Sequence, residues 1–203
     1  KRQILTITNT PPGGGWNMPF LSINGTTVYG WIWGVNGNQP LSYNASAGWH
    51  RLTLTYDPSS SPNLKFYVNG NKVAYGSGQY SSSNSSVYWT TYNPGAKPLG
   101  VNSYLKGEID DVSIWNKTLT EDEVNTMDNI SGDEPGLAGY WNFNEESGNV
   151  IIDNSYNSNN GTISGAVRST SVDPKNEDLT QSGGTINGDI YYNGDVPSLT
   201  QNG

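Results

Sequence analysis

Residues 64–76 read LKFYVNGNKVAYG. Phe66 and Val68 stand before the Asn69-Gly70 pair, and Val73 and Tyr75 follow it. Apolar residues at every second position on both sides of an Asn-Gly pair predict a tight β-hairpin, because such a turn needs positive φ and these two residues accept it most readily. Just upstream, residues 48–57 read GWHRLTLTYD, a strong strand with Leu52 and Leu54 on one face with His50 and Tyr56. PSSSPN, between the two, reads as a surface loop.

Working outward, the same grammar recurs. Residues 4–7 are a short strand candidate, broken by PPGGGWN. PFLSING and TTVYGWIWGV predict a second hairpin that turns at Asn24-Gly25. In its second arm Tyr29, Trp31 and Trp33 alternate with Gly30, Ile32 and Gly34. One face is aromatic and the other nearly bare, and a glycine in such a strand marks a close backbone approach or a bulge. LKGEIDDVSIWN, residues 105–116, is a further strand whose alternation fails at Asp110-Asp111, which predicts a bulge or two partly covered faces. TEDEVNTM is the one convincing helix. Thr120 is its N-cap, Glu123 completes a capping box, and Leu119 and Val124 form the staple. Strands are expected over 140–143 and 150–152. SGQYSSSNSSVYWTTYNPGAKP is a polar excursion with Tyr88, Trp89 and Tyr92 at its centre, either recognition surface or lid. Many short strands, one helix and abundant turns indicate an all-β sandwich.

Composition narrows the function classes. Charged residues are only 14% of the 203-residue chain, and seven Trp and thirteen Tyr can build a core, so the chain is not a disordered acidic one. A net charge of −8, with ten scattered Lys and Arg, argues against a nucleic-acid partner and an anionic membrane surface. No apolar run reaches the length of a membrane span. The absence of Cys removes disulfides, thiolate metal sites and Cys nucleophiles. An Asn-rich, acidic, cysteine-free chain fits a secreted or cell-surface protein, and Lys1 at the start suggests a mature product or an excised piece.

Four runs, taken in order, resemble a known family: GWHRLTLTYD, LKFYVNGNKV, LKGEIDDVSIWNKTLTEDEV and GLAGYWNFNEESGNVIIDNSYNSNNGTISGA. Together they look like the laminin-G-like, concanavalin A-like jelly-roll domains of bacterial surface and secreted proteins. The resemblance implies two packed antiparallel sheets. It implies carbohydrate or protein binding more often than catalysis, often with bound calcium. The expected fold is therefore a concanavalin A-like antiparallel β-sandwich with one short helix over residues 1–174, followed by a linker and tail over 175–203 with one strand candidate, GDIYYNG. Two departures stand out. The usual opening strands, apolar-Phe-Asp-Gly and Phe-x-x-x-x-Trp, do not precede Ile4, and the GYWNFNEESG unit lies late in the chain. Either the C-terminal segment completes the sandwich, or another chain does so at an exposed sheet edge.

The chemistry offers few catalytic arrangements. Glucanases of this fold carry Glu-x-Asp-x-Glu or Glu-x-Asp-x-x-Glu; here Glu108 and Asp110 begin the motif, but Val112 and Ser113 occupy the remaining acid positions. Glu145 and Glu146 are adjacent and point to opposite faces of a strand. His50, the one histidine, has no nucleophile elbow to serve and is expected to be structural. No catalytic residue is assigned. DNSYNSNNG, residues 153–161, offers oxygen donors from Asp153, Ser155, Asn157, Asn159 and Asn160, which suit either calcium or turn capping. Mapped onto the resembling family, the metal ligands are Asp110, Asn144 and Asp153. Sugar binding would rest on Trp31, Trp33, Trp89 and Tyr92, against the ordinary alternative of core packing; Trp115 and Trp141 are expected in the core. The leading expectation is a non-catalytic extracellular module that binds polysaccharide or glycoprotein glycans, with structural calcium. The alternative is a structural subunit of a surface assembly, joined by strand exchange through the N-terminal residues or the tail.

Overall fold

The computed structural model describes residues 2–8, 17–32, 35–78, 88–90, 105–169, 185–192 and 200–202. Its strands are β1 Arg2–Thr8, β2 Asn17–Asn24, β3 Thr27–Gly30, β4 Leu41–Asn44, β5 Leu52–Tyr56, β6 Leu64–Val68, β7 Asn71–Gly76, β8 Tyr88–Thr90, β9 Val112–Trp115, β10 Leu137–Trp141, β11 Val150–Ile151, β12 Gly161–Ser169, β13 Thr185–Tyr192 and β14 Thr200–Asn202. They form two antiparallel sheets. The larger has the order β11-β12-β13-β8-β1-β2-β3-β4 and the smaller β10-β9-β14-β5-β6-β7. The non-sequential order gives the concanavalin A-like jelly-roll sandwich that the sequence predicts.

The hairpin that led the reading is β6–β7. Asn69 has φ +51° and Gly70 φ +80°, the left-handed geometry that a two-residue turn requires. In the β2–β3 hairpin Asn24 pairs with Thr27, so the turn falls on Gly25 and Thr26, one residue later than expected. Asp111, with φ +52°, breaks the run ahead of β9 and accounts for the lost alternation at Asp110-Asp111.

The late part of the chain enters both sheets. β12 is a nine-residue strand, and β13, which contains most of the GDIYYNG candidate, pairs with β12 and with β8. A second tail strand, β14, lies between β5 and β9. The sequence predicts no strand over β12 or β14; β14 pairs with β5 and β9, far away in sequence, and the Gly-, Ser- and Thr-rich run of β12 carries little apolar alternation.

The core lies between the sheets. Leu54, Leu64, Phe66 and Ile114 from the smaller sheet meet Leu21, Val28, Leu41 and Ile151 from the larger. Helix α1, Glu121–Thr126, has the predicted capping box: Glu123 N–H donates to the Thr120 hydroxyl and Thr120 N–H to the Glu123 carboxylate. Val124 and Leu119 are both buried, in a second cluster with Tyr67, Trp115 and Leu137. Arg51 holds the other end of the helix, donating to the Val124 carbonyl at 2.9 Å and to Asp128 at 2.6 Å.

Gly30 decides which way β3 faces. A Cβ on this residue would stand 2.7 Å from Leu54 Cδ1 and 3.1 Å from Phe66 Cδ2. The smaller sheet therefore presses directly on the Gly30 backbone. Replacement of Gly30 by Val overfills this contact and is expected to destabilise the fold by about 1–3 kcal/mol, read as a lower urea midpoint at unchanged m-value.

Candidate functional site

Because Gly30 and Val28 face the core, Thr27 and Tyr29 face outward, and Trp31 continues that side past the end of β3. The register carries the face across the neighbouring strands. Ser22 and Ser42 lie opposite Tyr29, while Asn24 and Asn44 lie opposite Thr27. Tyr29 and Trp31 are half-buried, Ser42 and Asn44 exposed, and the Thr27 hydroxyl donates to Asn44 Oδ1 at 2.6 Å. The surface is shallow, with aromatic rings set among hydroxyls and amides and no charged side chain among these positions.

The other expected aromatic positions are placed less fully. Trp89 lies in β8 opposite Ile7, itself opposite Met18 of β2. Trp33, Tyr92 and the indole of Trp89 lie outside the described residues. Trp115 and Trp141 are buried at 3% and 6% exposure, as a core role requires.

The Asn-rich loop does something else. β10 is an edge strand, so its outward N–H and C=O groups lack a neighbouring strand. The loop supplies partners for them. Asp153 Oδ1 accepts from Tyr140 N–H at 2.8 Å, and Asn154 N–H donates to the Tyr140 carbonyl at 2.7 Å. The side-chain amides of Asn157 and Asn159 donate to the carbonyls of Leu137 and of Ala138, the bulged residue, at 3.2 and 3.0 Å. The loop is itself held by Asp153, whose Oδ1 also accepts from Ser155 N–H at 2.9 Å and whose Oδ2 accepts from Asn159 N–H at 2.8 Å.

These contacts set the fit to calcium. Asp153 is 5% exposed and its carboxylate faces three backbone N–H donors, a geometry that does the work of a cation at this position. Asp110 Oδ1 accepts from Asp111 N–H at 3.1 Å, and Asn144 is half-buried, with its N–H directed to Asn142 Oδ1. Among the described residues no group of three or more His, Asp or Glu side chains is placed to hold a metal ion. Asp153 and Asp110 each accept from backbone N–H groups, so calcium held by these two and Asn144 would share oxygens that already serve the fold.

The remaining carboxylates and the histidine hold structure. Ser169 Oγ donates to Glu108 Oε1 at 2.6 Å. Glu145 pairs with Arg168 at 3.2 Å, and the two side chains are only 14% and 16% exposed. His50 Nε2 lies 2.9 Å from the Ser46 carbonyl, which can only accept, so this nitrogen carries the proton; Nδ1 then accepts from Asn69 Nδ2 at 3.1 Å. The ring braces the Asn69-Gly70 turn.

The two antiparallel sheets and their strand order define a concanavalin A-like β-sandwich class. The laminin-G-like family described as the concanavalin A-like lectin/glucanases superfamily matches residues 2–125, and the chain belongs to that family. No curated protein and no solved structure matches the chain. No helix among the described residues is long and apolar enough to cross a membrane.

Removing the Asp153 charge tests the loop. Asp153→Asn leaves an NH2 group against backbone donors and is expected to cost about 2–4 kcal/mol, with faster amide exchange at Tyr140, Ser155 and Asn159. A second test is alkaline. Burial, then the nearby Asp111 carboxylate that accepts from the hydroxyl at 2.7 Å, raises the Tyr140 pKa well above its usual 10.0. The folded state keeps this proton longer than the unfolded chain. Its contribution to stability is therefore complete below about pH 10 and declines as pH rises further. Tyr140→Phe is expected to flatten that decline in denaturation curves measured across this range.

Proposed function

We propose that the chain is a non-catalytic, extracellular binding module that recognises polysaccharide or glycoprotein glycans on the outer face of its larger sheet. The observation that carries this reading is the pressure of Leu54 and Phe66 on Gly30, which directs Tyr29 and Trp31 away from the core. A sugar ring offers C–H groups to the aromatic faces and hydroxyls to Thr27, Ser42 and Asn44. Trp33, Trp89 and Tyr92 belong to the same reading as further stacking residues. The absence of charge at these positions favours neutral sugars over anionic ones.

Support for a non-catalytic role comes from the carboxylates. Glu108 is held by Ser169 and Glu145 by Arg168, so both acids serve structural contacts. Extracellular location rests on the family and on composition. β1, β13 and β14 are interior strands of the two sheets, so Arg2–Thr8, Thr185–Tyr192 and Thr200–Asn202 have pairing partners within the chain.

Glycan-array screening followed by calorimetry tests the reading. Trp31→Ala and Tyr29→Ala are each expected to weaken binding about tenfold or more, roughly 1.4 kcal/mol, with Tm little changed. Array binding that is absent with and without calcium, or unaffected by both substitutions, contradicts it. Calcium is tested separately: a Tm raised by the ion and restored by chelator, and lost in Asp110→Asn, would establish a site at Asp110, whereas an unchanged Tm removes calcium from the account.

A further inference from the structure

Four strands stand at sheet edges: β11 and β4 in the larger sheet, β10 and β7 in the smaller. Three are closed by the chain's own groups. β10 is sealed by Asp153, Asn154, Asn157 and Asn159, as described above. β11 is sealed by the Glu145–Arg168 pair. Ile163 N–H donates to the Asn149 carbonyl, which fixes the phase of the ladder and leaves the Val150 carbonyl and Ile152 N–H pointing away from β12. Arg168 Nη2 donates to that carbonyl at 3.2 Å, and Glu145 Oε1 accepts from that N–H at 2.6 Å. β7 is interrupted by a register shift opposite Phe66 and Tyr67, carries Lys72 in an ion pair with Glu121, and is met just beyond its end by Asn36, whose N–H donates to the Ser77 carbonyl. Bulges, charges and capping side chains are the means by which edges are kept from pairing.

Among the described residues β4 has none of these. Its sequence is LSYN, it pairs with β3 without a register shift, and Ser42, Tyr43 and Asn44 are all exposed. Ala45 N–H donates to the Thr26 carbonyl at 2.9 Å, so the N–H and C=O of Tyr43 face Val28, while those of Ser42 and Asn44 point outward in the plane of the sheet. The open groups are placed evenly on either side of Tyr43. Inverted about that residue, the edge is complementary to itself.

We propose that β4 is a self-association edge, where two copies of this chain pair antiparallel about a two-fold axis at Tyr43. Ser42 of each copy exchanges its N–H and C=O with Asn44 of the other, and the two Tyr43 side chains stand directly opposite as a cross-strand aromatic pair. An interface of this kind is isologous and closes at two subunits. A second copy fits better than a charged partner, because the strand carries no charge and places no like charges across the axis. Pro40 precedes the strand and has no N–H, so the seam is short and the dimer weak. The consequence for recognition is geometric. β3 lies next to β4 in each copy, so the two aromatic faces come within about three strand spacings, roughly 15 Å, on one continuous sheet. Two weak sites on one surface bind a repeating polysaccharide with an avidity that neither has alone.

Sedimentation equilibrium of the full chain tests this without any glycan. The average mass is expected to rise toward twice the monomer between about 10 µM and 1 mM, and a constant monomer mass through that range overturns the proposal. Ser42→Pro removes an N–H that the β3 ladder does not use, and Tyr43→Lys sets like charges opposite one another. Both are expected to be monomeric at concentrations where the parent chain dimerises, with unchanged circular dichroism. Should Ser42→Pro fail to fold, Tyr43→Lys decides the matter. Dimerisation that persists in a folded variant places the interface elsewhere and overturns the proposal. Trp31→Ala is expected to dimerise like the parent, which separates this result from the fate of the glycan reading.

Discussion

One carboxylate, Asp153, fixes the side of the sandwich where both sheets end. Three backbone N–H groups converge on it, from the edge strand β10 and from two points in the loop that follows. A buried anion satisfied in this way is rigid, since moving any one donor leaves a charge short of a partner in a low-dielectric setting. With Asp153 in place, the amides of Asn157 and Asn159 meet the β10 carbonyls, and Trp141 Nε1 donates to the Asn159 carbonyl at 2.9 Å. The same segment then crosses to the other sheet, where Glu145 and Arg168 finish the edge of β11. Residues 142–160 thus join the edge strands of the two sheets and end pairing on each. That side of the molecule is a boundary, which leaves the outer face and the far edge for the recognition and self-association proposed above.

The outer face owes its character to a single close approach. Leu54 and Phe66 leave no space for a side chain at Gly30, so alternation along β3 directs Tyr29 and Trp31 outward. Hydroxyls and amides gather around them because the strands on either side pair in register. A surface assembled this way needs no loop to shape it, and its position between a closed edge and an open one gives the larger sheet a direction.

Local patterns in the sequence were enough for the hairpin at Asn69-Gly70, the capping box at Thr120 and Glu123, and the sandwich class, because each depends on neighbours a few residues apart. The glycine at position 30 was readable as a close approach, but the direction of Trp31 was not, since it depends on Leu54 and Phe66 from the other sheet. The oxygen-rich loop was readable as either a turn or a calcium site. The open edge of β10, to which the amides are fitted, supports the structural reading, and edge position is a property of the whole sheet order. β14 escaped for the same reason: a strand completed by distant partners needs no pattern of its own. The strand-exchange alternative followed from missing opening strands; with β13 and β14 inside the two sheets, any pairing between copies is better served by β4.

The outer face of the larger sheet is the proposed recognition surface. Backbone amide NMR of the full chain, titrated with a glycan selected by array, reads this residue by residue. The account expects saturable shifts centred on Ser22, Thr27, Tyr29, Trp31 and Ser42, with the signals of residues 153–160 unmoved. Shifts centred on the 153–160 loop, or on Glu108 and its neighbours, would contradict it.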